Sequence, residues 1–464
     1  MTFYDRESEL EALHTEFESD TFGFVVVYGR RRVGKTELLK AFCADRPHVY
    51  HLAAQETEQR QRQKLVEQVA TRFDERVPRT DSWDEVFEYL GEQLADERFV
   101  LVVDEFPYLV ESDDSIPSYV QSLVDQYGPK SQSLLVLCGS SISVMESEVL
   151  GHESPLYGRR TAQIDLQPFD FRTARQVIDY GVERAIESYA VTGGTPMYLT
   201  LFDYEQSLKE NISQYVLSNT SVLYNEPEFL LRTELRNPSR YLSILEAIAT
   251  GHTTPKEISG ATGVGSSPLS KYLQTLRRLR FIQREVPVTA SQKKSKRSLY
   301  HLSDNFLSFW FRFVEPNRSA IEQAPDVVLE DAIWPDFTHH VARVFESVCL
   351  EAVWEGIRTN RFDVRYSQVG RWWYGEEEID IVGLNPRENA ILLAECKWTA
   401  QPVGVSLAES LLEKSESVRW RNGDRREQFA LFSKSGFTDA VREEFGSTWE
   451  LIDLSGLNSL TKPE

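Results

Sequence analysis

The run Gly29-Arg30-Arg31-Arg32-Val33-Gly34-Lys35-Thr36 satisfies Gly-x-x-x-x-Gly-Lys-Ser/Thr in full. Gly29 and Gly34 let backbone N–H groups wrap a phosphate, and a helix starting at Lys35 adds its dipole. Lys35 would bridge the β- and γ-phosphates, and the Thr36 hydroxyl would bind Mg²⁺. A second element agrees. Phe99-Val100-Leu101-Val102-Val103 is an apolar strand that ends in Asp104-Glu105. Carboxylates there are costly unless they meet solvent or a cation. Asp104 would hold the Mg²⁺ through water, and Glu105 would polarise the attacking water. Ser140, after the run Ser133–Cys138, could sense the γ-phosphate. The implied ligand is Mg-ATP.

A second constellation lies near the other end. Segments 376–384 and 390–398 read as a hairpin around Asn385-Pro386-Arg387-Glu388-Asn389. Glu395 and Lys397 are two apart and share a face. A loop with an even number of residues would bring Asp380 onto that face beside Glu395. Two carboxylates and one ammonium on an apolar hairpin need a shared partner, and a divalent ion satisfies the acids. This is the D-x(n)-E-x-K arrangement of PD-(D/E)xK nucleases. Asp380 and Glu395 would ligate a second Mg²⁺ or Mn²⁺, and Lys397 would orient water and stabilise phosphorane charge. Glu346, on a helical stretch, is the candidate extra acid. Three roles stay open for this domain: cleavage, binding of DNA or protein alone, and structure.

Charge separates a third segment. The 464 residues carry 72 acids and 51 bases, a net −21. Between Ser239 and Tyr300, however, eleven bases face three acids, so the remainder carries −29. Three helical stretches, then two strands joined by Lys293-Lys294-Ser295-Lys296-Arg297, read as a winged helix-turn-helix. The third helix would place Lys271, Arg277 and Arg278 in a DNA groove, and the wing would set Lys293, Lys294, Lys296 and Arg297 on phosphate. The alternative is a winged helix used for packing inside the chain.

Elements of matching type surround these sites. Apolar runs at 24–28, 48–52, 99–103, 133–138 and 161–166 alternate with helical stretches, the pattern of a parallel α/β sheet. Of the 51 bases 14 are Lys and 37 are Arg, so an acidic, Lys-poor surface suited to concentrated salt, and a halophilic source, are expected. Cys43, Cys138, Cys349 and Cys396 are scattered and are expected to be reduced, buried thiols of a cytoplasmic protein. His339-His340 reads as a helix surface pair. The charged start at Asp5-Arg6-Glu7 suggests no signal peptide, and no apolar run approaches the roughly 20 residues that cross a bilayer.

The chain resembles the archaeal-type P-loop ATPases related to the STAND class. The resemblance rests on Phe3-x-x-Arg6-Glu7-x-Glu9-Leu10, the Arg-rich P-loop, Val103-Asp104-Glu105-Phe106 and Cys138-Gly139-Ser140-Ser141. It extends to Pro155-Leu156-Tyr157-Gly158-Arg159-Arg160-Thr161 and Gly193-Gly194-Thr195-Pro196. It implies that Arg6 and Glu7 lie near the adenine and that Pro196, in a helical lid, reports nucleotide state. Either Arg159 or Arg160 would approach the γ-phosphate. The tract Arg371-Trp372-Trp373-Tyr374 and Glu395-Cys396-Lys397-Trp398 resembles the C-terminal domain these ATPases often carry.

The expected fold class is therefore α/β and multidomain. It comprises a P-loop ATPase core with an extra central strand (1–166), a helical lid (167–237), a winged helix (238–314) and a nuclease-like domain (315–464). The expected function is an ATP-binding and hydrolysing switch that binds DNA and could cleave it. The rival is a STAND-like scaffold that recruits a protein partner or a second copy of itself.

Overall fold

A computed structural model describes residues 4–235, 237–295 and 297–462; Phe3 and Lys296, both named above, lie outside the described residues. The chain divides into two compact units, Met1–Pro168 and Phe169–Glu464.

Five parallel strands form the first unit's sheet: β1 (Gly23–Tyr28), β2 (His48–Leu52), β3 (Val100–Asp104), β4 (Leu134–Gly139) and β5 (Ala162–Asp165), in the order β2-β3-β4-β1-β5. The central strands β3, β4 and β1 are buried along their whole length because helices cover both faces. Phe24, Val26 and Tyr28 of β1 join Leu101, Val103, Leu135 and Leu137 in one core. Val25 and Val27 join Val100, Val102, Leu134 and Val136 in the other. A sheet covered twice has no room for the alternating polar residues of a half-exposed one. With β4 between β1 and β3, the carboxyl ends carrying Gly29, Asp104 and Ser140 lie side by side.

The second unit holds helices Ser239–Ala249, Pro255–Thr262 and Ser266–Arg278, followed by β6 (Ile282–Glu285) antiparallel to β7 (Leu299–Leu302). Thr254 and Glu257 cap the second helix reciprocally, which satisfies two N-terminal N–H groups. Leu269, Leu273 and Leu276 are the buried stripe of the third helix. In the structure β6 stops at Glu285, because Pro287 has no N–H to give a ladder. Val288 N–H donates instead to Arg371 O at 2.9 Å.

The 25-residue helix Trp334–Arg358 leads to a mixed sheet of β8 (Gln368–Tyr374), β9 (Glu377–Asn385), β10 (Ala390–Lys397), β11 (Arg426–Ser433) and β12 (Glu450–Asp453), ordered β12-β11-β10-β9-β8. β8, β9 and β10 run antiparallel; β10, β11 and β12 run parallel. The same long helix carries His340, which is buried against Phe309 and Phe313 with Nε2 2.9 Å from Ala190 O. The surface histidine pair read from the sequence is thus corrected at His340, where burial pushes the imidazole down to about 4. All four cysteines are free and buried. Among the described residues no helix is long and apolar enough to cross a membrane.

Glu351 on this helix accepts the Phe171 N–H at 2.9 Å. Burial, then the Asp170 charge, pushes its carboxyl up to about 8. A carboxyl raised on folding adds stability that is complete below its unfolded value and lost as pH rises through the folded one. Glu351→Gln keeps an acceptor and removes the charge. Its melting temperature should overtake that of the wild type progressively between pH 4.5 and 8, whereas parallel pH profiles would refute this assignment.

Candidate functional site

At the end of β1 the chain turns at Gly29, whose φ is +151° and where a Cβ would stand 2.3 Å from Leu166 O. Gly34, with φ +96°, starts the helix Lys35–Cys43. Lys35 is buried and donates to Gly29 O at 3.0 Å and Arg30 O at 2.9 Å. Burial lowers its pKa while the Glu105 and Asp104 carboxylates oppose that shift. Thr36 Oγ1 donates to Asp104 Oδ2 at 2.8 Å, and Asp104 Oδ1 accepts the Glu105 N–H at 2.9 Å. Glu105 holds φ +54°, a costly value for a residue with a side chain. Its Oε2 accepts from Ser140 Oγ at 2.8 Å.

Lys35, Thr36, Asp104, Glu105 and Ser140 therefore converge, as the sequence leads one to expect. Tyr50 joins them without having been foreseen: its hydroxyl donates to Asp104 Oδ2 at 2.6 Å. Arg6 Nη2 donates to Val33 O at 3.2 Å and Gln167 O at 2.6 Å, tying the loop to the segment after β5. Glu7 opens the first helix and is exposed. Arg159 is held by Asp125 through two bonds of 2.8 Å, and Arg160 is half-buried. Pro196 belongs to the second unit, where it starts the short helix Pro196–Leu199.

In the second unit the β9–β10 register, Ala394 opposite Ile381, sets Glu395 opposite Asp380. Asp380 Oδ2 accepts the Cys396 N–H at 2.9 Å. Lys397 Nζ lies 3.1 Å from Glu395 Oε2 and 4.0 Å from Asp380 Oδ2. Lys414, from helix Val405–Ser417, reaches Glu395 Oε1 at 2.7 Å; it too was not foreseen. Glu346 faces Arg371 at 3.7 Å. Burial, then the neighbouring carboxylate, raises the pKa of both Glu346 and Asp380. Burial works against the Lys397 charge, but Glu395 and Asp380 outweigh it and hold the ammonium up. Among the described residues no set of three His, Cys, Asp or Glu is arranged to hold an ion. An Asp380–Glu395 pair still suits Mg²⁺, which takes one or two carboxylates and fills its remaining positions with water and substrate phosphate.

The candidate DNA residues Lys271, Arg277 and Arg278 are exposed on the third helix, and Lys293, Lys294 and Arg297 on the wing. Arg297 turns toward the C-terminal sheet: Nη1 donates to Trp373 O at 3.3 Å, and its guanidinium lies 5.5 Å from the Tyr374 ring centre.

Comparison with known proteins agrees with this geometry. Residues 3–202 match a family described as an ATPase domain predominantly from Archaea. Residues 310–414 match one described as archaeal and bacterial proteins of unknown function. An uncharacterised protein of Methanocaldococcus jannaschii is 34% identical over 402 residues, covering 85% of this chain and 87% of its own. Among solved structures the chain is similar to a Walker-type ATPase of Pyrococcus abyssi (22% identical, TM-score 0.48, 67% of this chain and 96% of that one). It is also similar to a STAND protein with a tetratricopeptide repeat sensor from Pyrococcus horikoshii (14%, TM-score 0.30, 77% and 50%). With a complete P-loop, its acidic partners, the two matched domains and a relative 34% identical over most of both chains, the chain belongs to the family of archaeal P-loop ATPases that join this ATPase domain to that C-terminal domain.

Proposed function

We propose that ATP binding and hydrolysis in the first unit set the state of a second unit that binds DNA through residues 239–302 and cleaves it at Asp380, Glu395 and Lys397. The observation that carries the cleavage reading is Lys397, placed between two buried carboxylates on opposed strands.

In the first unit Thr36 and Asp104 would hold Mg²⁺, their oxygens already 2.8 Å apart. Lys35 would exchange the Gly29 and Arg30 carbonyls for phosphate oxygens. Bound Mg-ATP supplies the phosphoanhydride and the charge neutralisation that phosphoryl transfer needs. Glu105 accepts a proton from water, and Ser140 orients the carboxylate that does so. In the second unit Asp380 and Glu395 would hold the divalent ion, whose chemistry is polarisation of a phosphodiester oxygen and of water. Lys397 keeps its proton and stands ready for the charge that develops on phosphorus. The exposed bases of the third helix and wing supply the sequence-independent part of DNA affinity.

One observation favours the scaffold reading. Glu395 is already compensated by two ammonium groups, Lys397 and Lys414. The deciding assay incubates plasmid and linear DNA with full-length protein in high KCl, with Mg²⁺ or Mn²⁺, with and without ATP. Metal-dependent nicking that disappears in Lys397→Ala, and loses its ATP response in Lys35→Ala, is the expected result. Intact DNA under every condition, from protein that still hydrolyses ATP, would leave the scaffold.

A further inference from the structure

A cavity of about 360 Å³ opens beside the C-terminal centre, lined among others by Glu285, His301, Arg312, Glu346, Arg371 and Asp380. A second, of about 370 Å³, shares Ala249, Arg312 and Arg343 with it and extends to Asn317 and His339. The two adjoin at these shared residues, a track whose first part is lined by Asp380. Chain of the basic segment, from Gln283 to Val288 and at Gln292, contributes to the lining of the first cavity. Val288 N–H bonds to Arg371 O, and Arg284 donates to the Gln292 and Ser295 carbonyls, both at 2.7 Å, fixing the loop above.

Volume and chemistry restrict the occupant. Spaces of this size lie at the small-ligand end of binding pockets, whereas the major groove alone of a duplex is about 12 Å wide. Proteins that act deep in a pocket take a single strand or an extruded nucleotide. Arg343 stands where the cavities meet. It has no hydrogen bond or ion pair among the described residues, unlike Arg312, which Asp336 holds, and Arg371, which lies among Glu285, Glu346 and Glu378. A guanidinium with no direct partner, although the Glu346 and Glu378 charges act on it, offers a fork matched to phosphate oxygens.

We propose that the joined cavities receive the end of a single DNA strand, one nucleotide in each, with Arg343 gripping the phosphate between them and the next phosphodiester delivered to Asp380. This rests on the reading of Asp380, Glu395 and Lys397 as a phosphodiester centre. It adds that duplex DNA must be opened or frayed before it reaches that centre.

The test uses full-length protein with Mg²⁺ and a fluorescent 12-nucleotide strand, offered alone, as a blunt duplex and as a tailed duplex. Anisotropy and cleavage are read for wild type, Arg343→Glu and Ser347→Trp. Ser347 is exposed on the long helix and lines the first cavity, so tryptophan there blocks the track without entering the core. Thermal melting confirms that each variant is folded. The single strand should bind at least about tenfold tighter than the blunt duplex. Each of the two variants should remove about tenfold of that affinity, the order of one lost phosphate contact. Equal binding of strand and duplex, or unchanged strand binding by Ser347→Trp, would overturn the proposal. Strand binding blocked by Ser347→Trp with no cleavage by any protein would keep this site and remove the nuclease reading. Internal cleavage of blunt duplex by Ser347→Trp at the wild-type rate would do the reverse.

Discussion

Lys35→Ala protein will neither bind nor hydrolyse ATP, whereas Glu105→Gln protein will bind it and stall. The two residues sit within one cluster but act at different stages. Lys35 is the ammonium that spans the loop, and in its present position it donates to Gly29 O and Arg30 O. Its removal deletes the phosphate contact, and it also leaves two loop carbonyls short of a donor at about 1–3 kcal/mol each when buried. Glu105 holds no loop group. Its carboxylate accepts from Ser140, and if it is the proposed base the amide variant keeps the shape and loses that function. A positioned general base contributes about 10²–10⁴-fold, and the phosphate-release rate of Glu105→Gln should fall by that order. Calorimetric ATP binding and phosphate release, measured on both variants, separate the roles. Normal ATP-induced stabilisation of Lys35→Ala would refute the P-loop assignment, and unimpaired turnover by Glu105→Gln would move the base elsewhere.

What the sequence reveals of these sites follows from how local each one is. Gly29 to Thr36 form one contiguous loop, and Asp104, Glu105 and Ser140 each follow an apolar strand, so their places at strand ends are readable, whereas their convergence depends on the order β3-β4-β1. The pairing of Asp380 with Glu395 needs an even loop, and it arises because β9 runs on to pair Asn385 with Ala390, so that 386–389 and not 385–389 join the strands. Tyr50 was not legible, because only the β2–β3 pairing brings its hydroxyl to Asp104. Lys414 was not legible either: it reaches Glu395 from a helix that begins eight residues after β10 ends. The docking of Arg297 and Val288 on β8 joins residues more than 70 positions apart, and a run of bases reads the same whether it meets phosphate or a carbonyl. Burial of His340 depends on Phe309 and Phe313, which lie in another helical segment. Contacts set by neighbours in sequence are readable; those set by tertiary pairing override local pattern.

The tract Gly193-Gly194-Thr195-Pro196 enters the sequence reading as a nucleotide reporter, yet its second glycine has a purely steric duty with a large expected effect. A Cβ on Gly194 would lie 1.7 Å from Phe169 O, 2.7 Å from Phe169 C and 2.9 Å from Phe169 N. All three are backbone atoms, so no side chain can swing aside. The same two residues are joined by a hydrogen bond from Phe169 N to Gly194 O at 2.7 Å. Gly194→Ala must therefore break that bond and displace the turn that ends helix Val182–Thr192, together with the Phe171–Tyr189 ring contact at 5.4 Å. Forced overlap of this kind costs about 3 kcal/mol or more, which lowers the second unit's melting temperature by roughly 6–12 °C. Gly260 supplies the opposite sign. It is exposed inside helix Pro255–Thr262, and a Cβ there would meet nothing within 4 Å. Gly260→Ala should stabilise by about 0.5–1 kcal/mol, because alanine loses less backbone freedom on entering a helix. Scanning calorimetry of the two variants beside wild type tests both at once. A Gly194→Ala transition at the wild-type temperature would mean that the Phe169 turn can open without cost, and the steric account of this tract would fall.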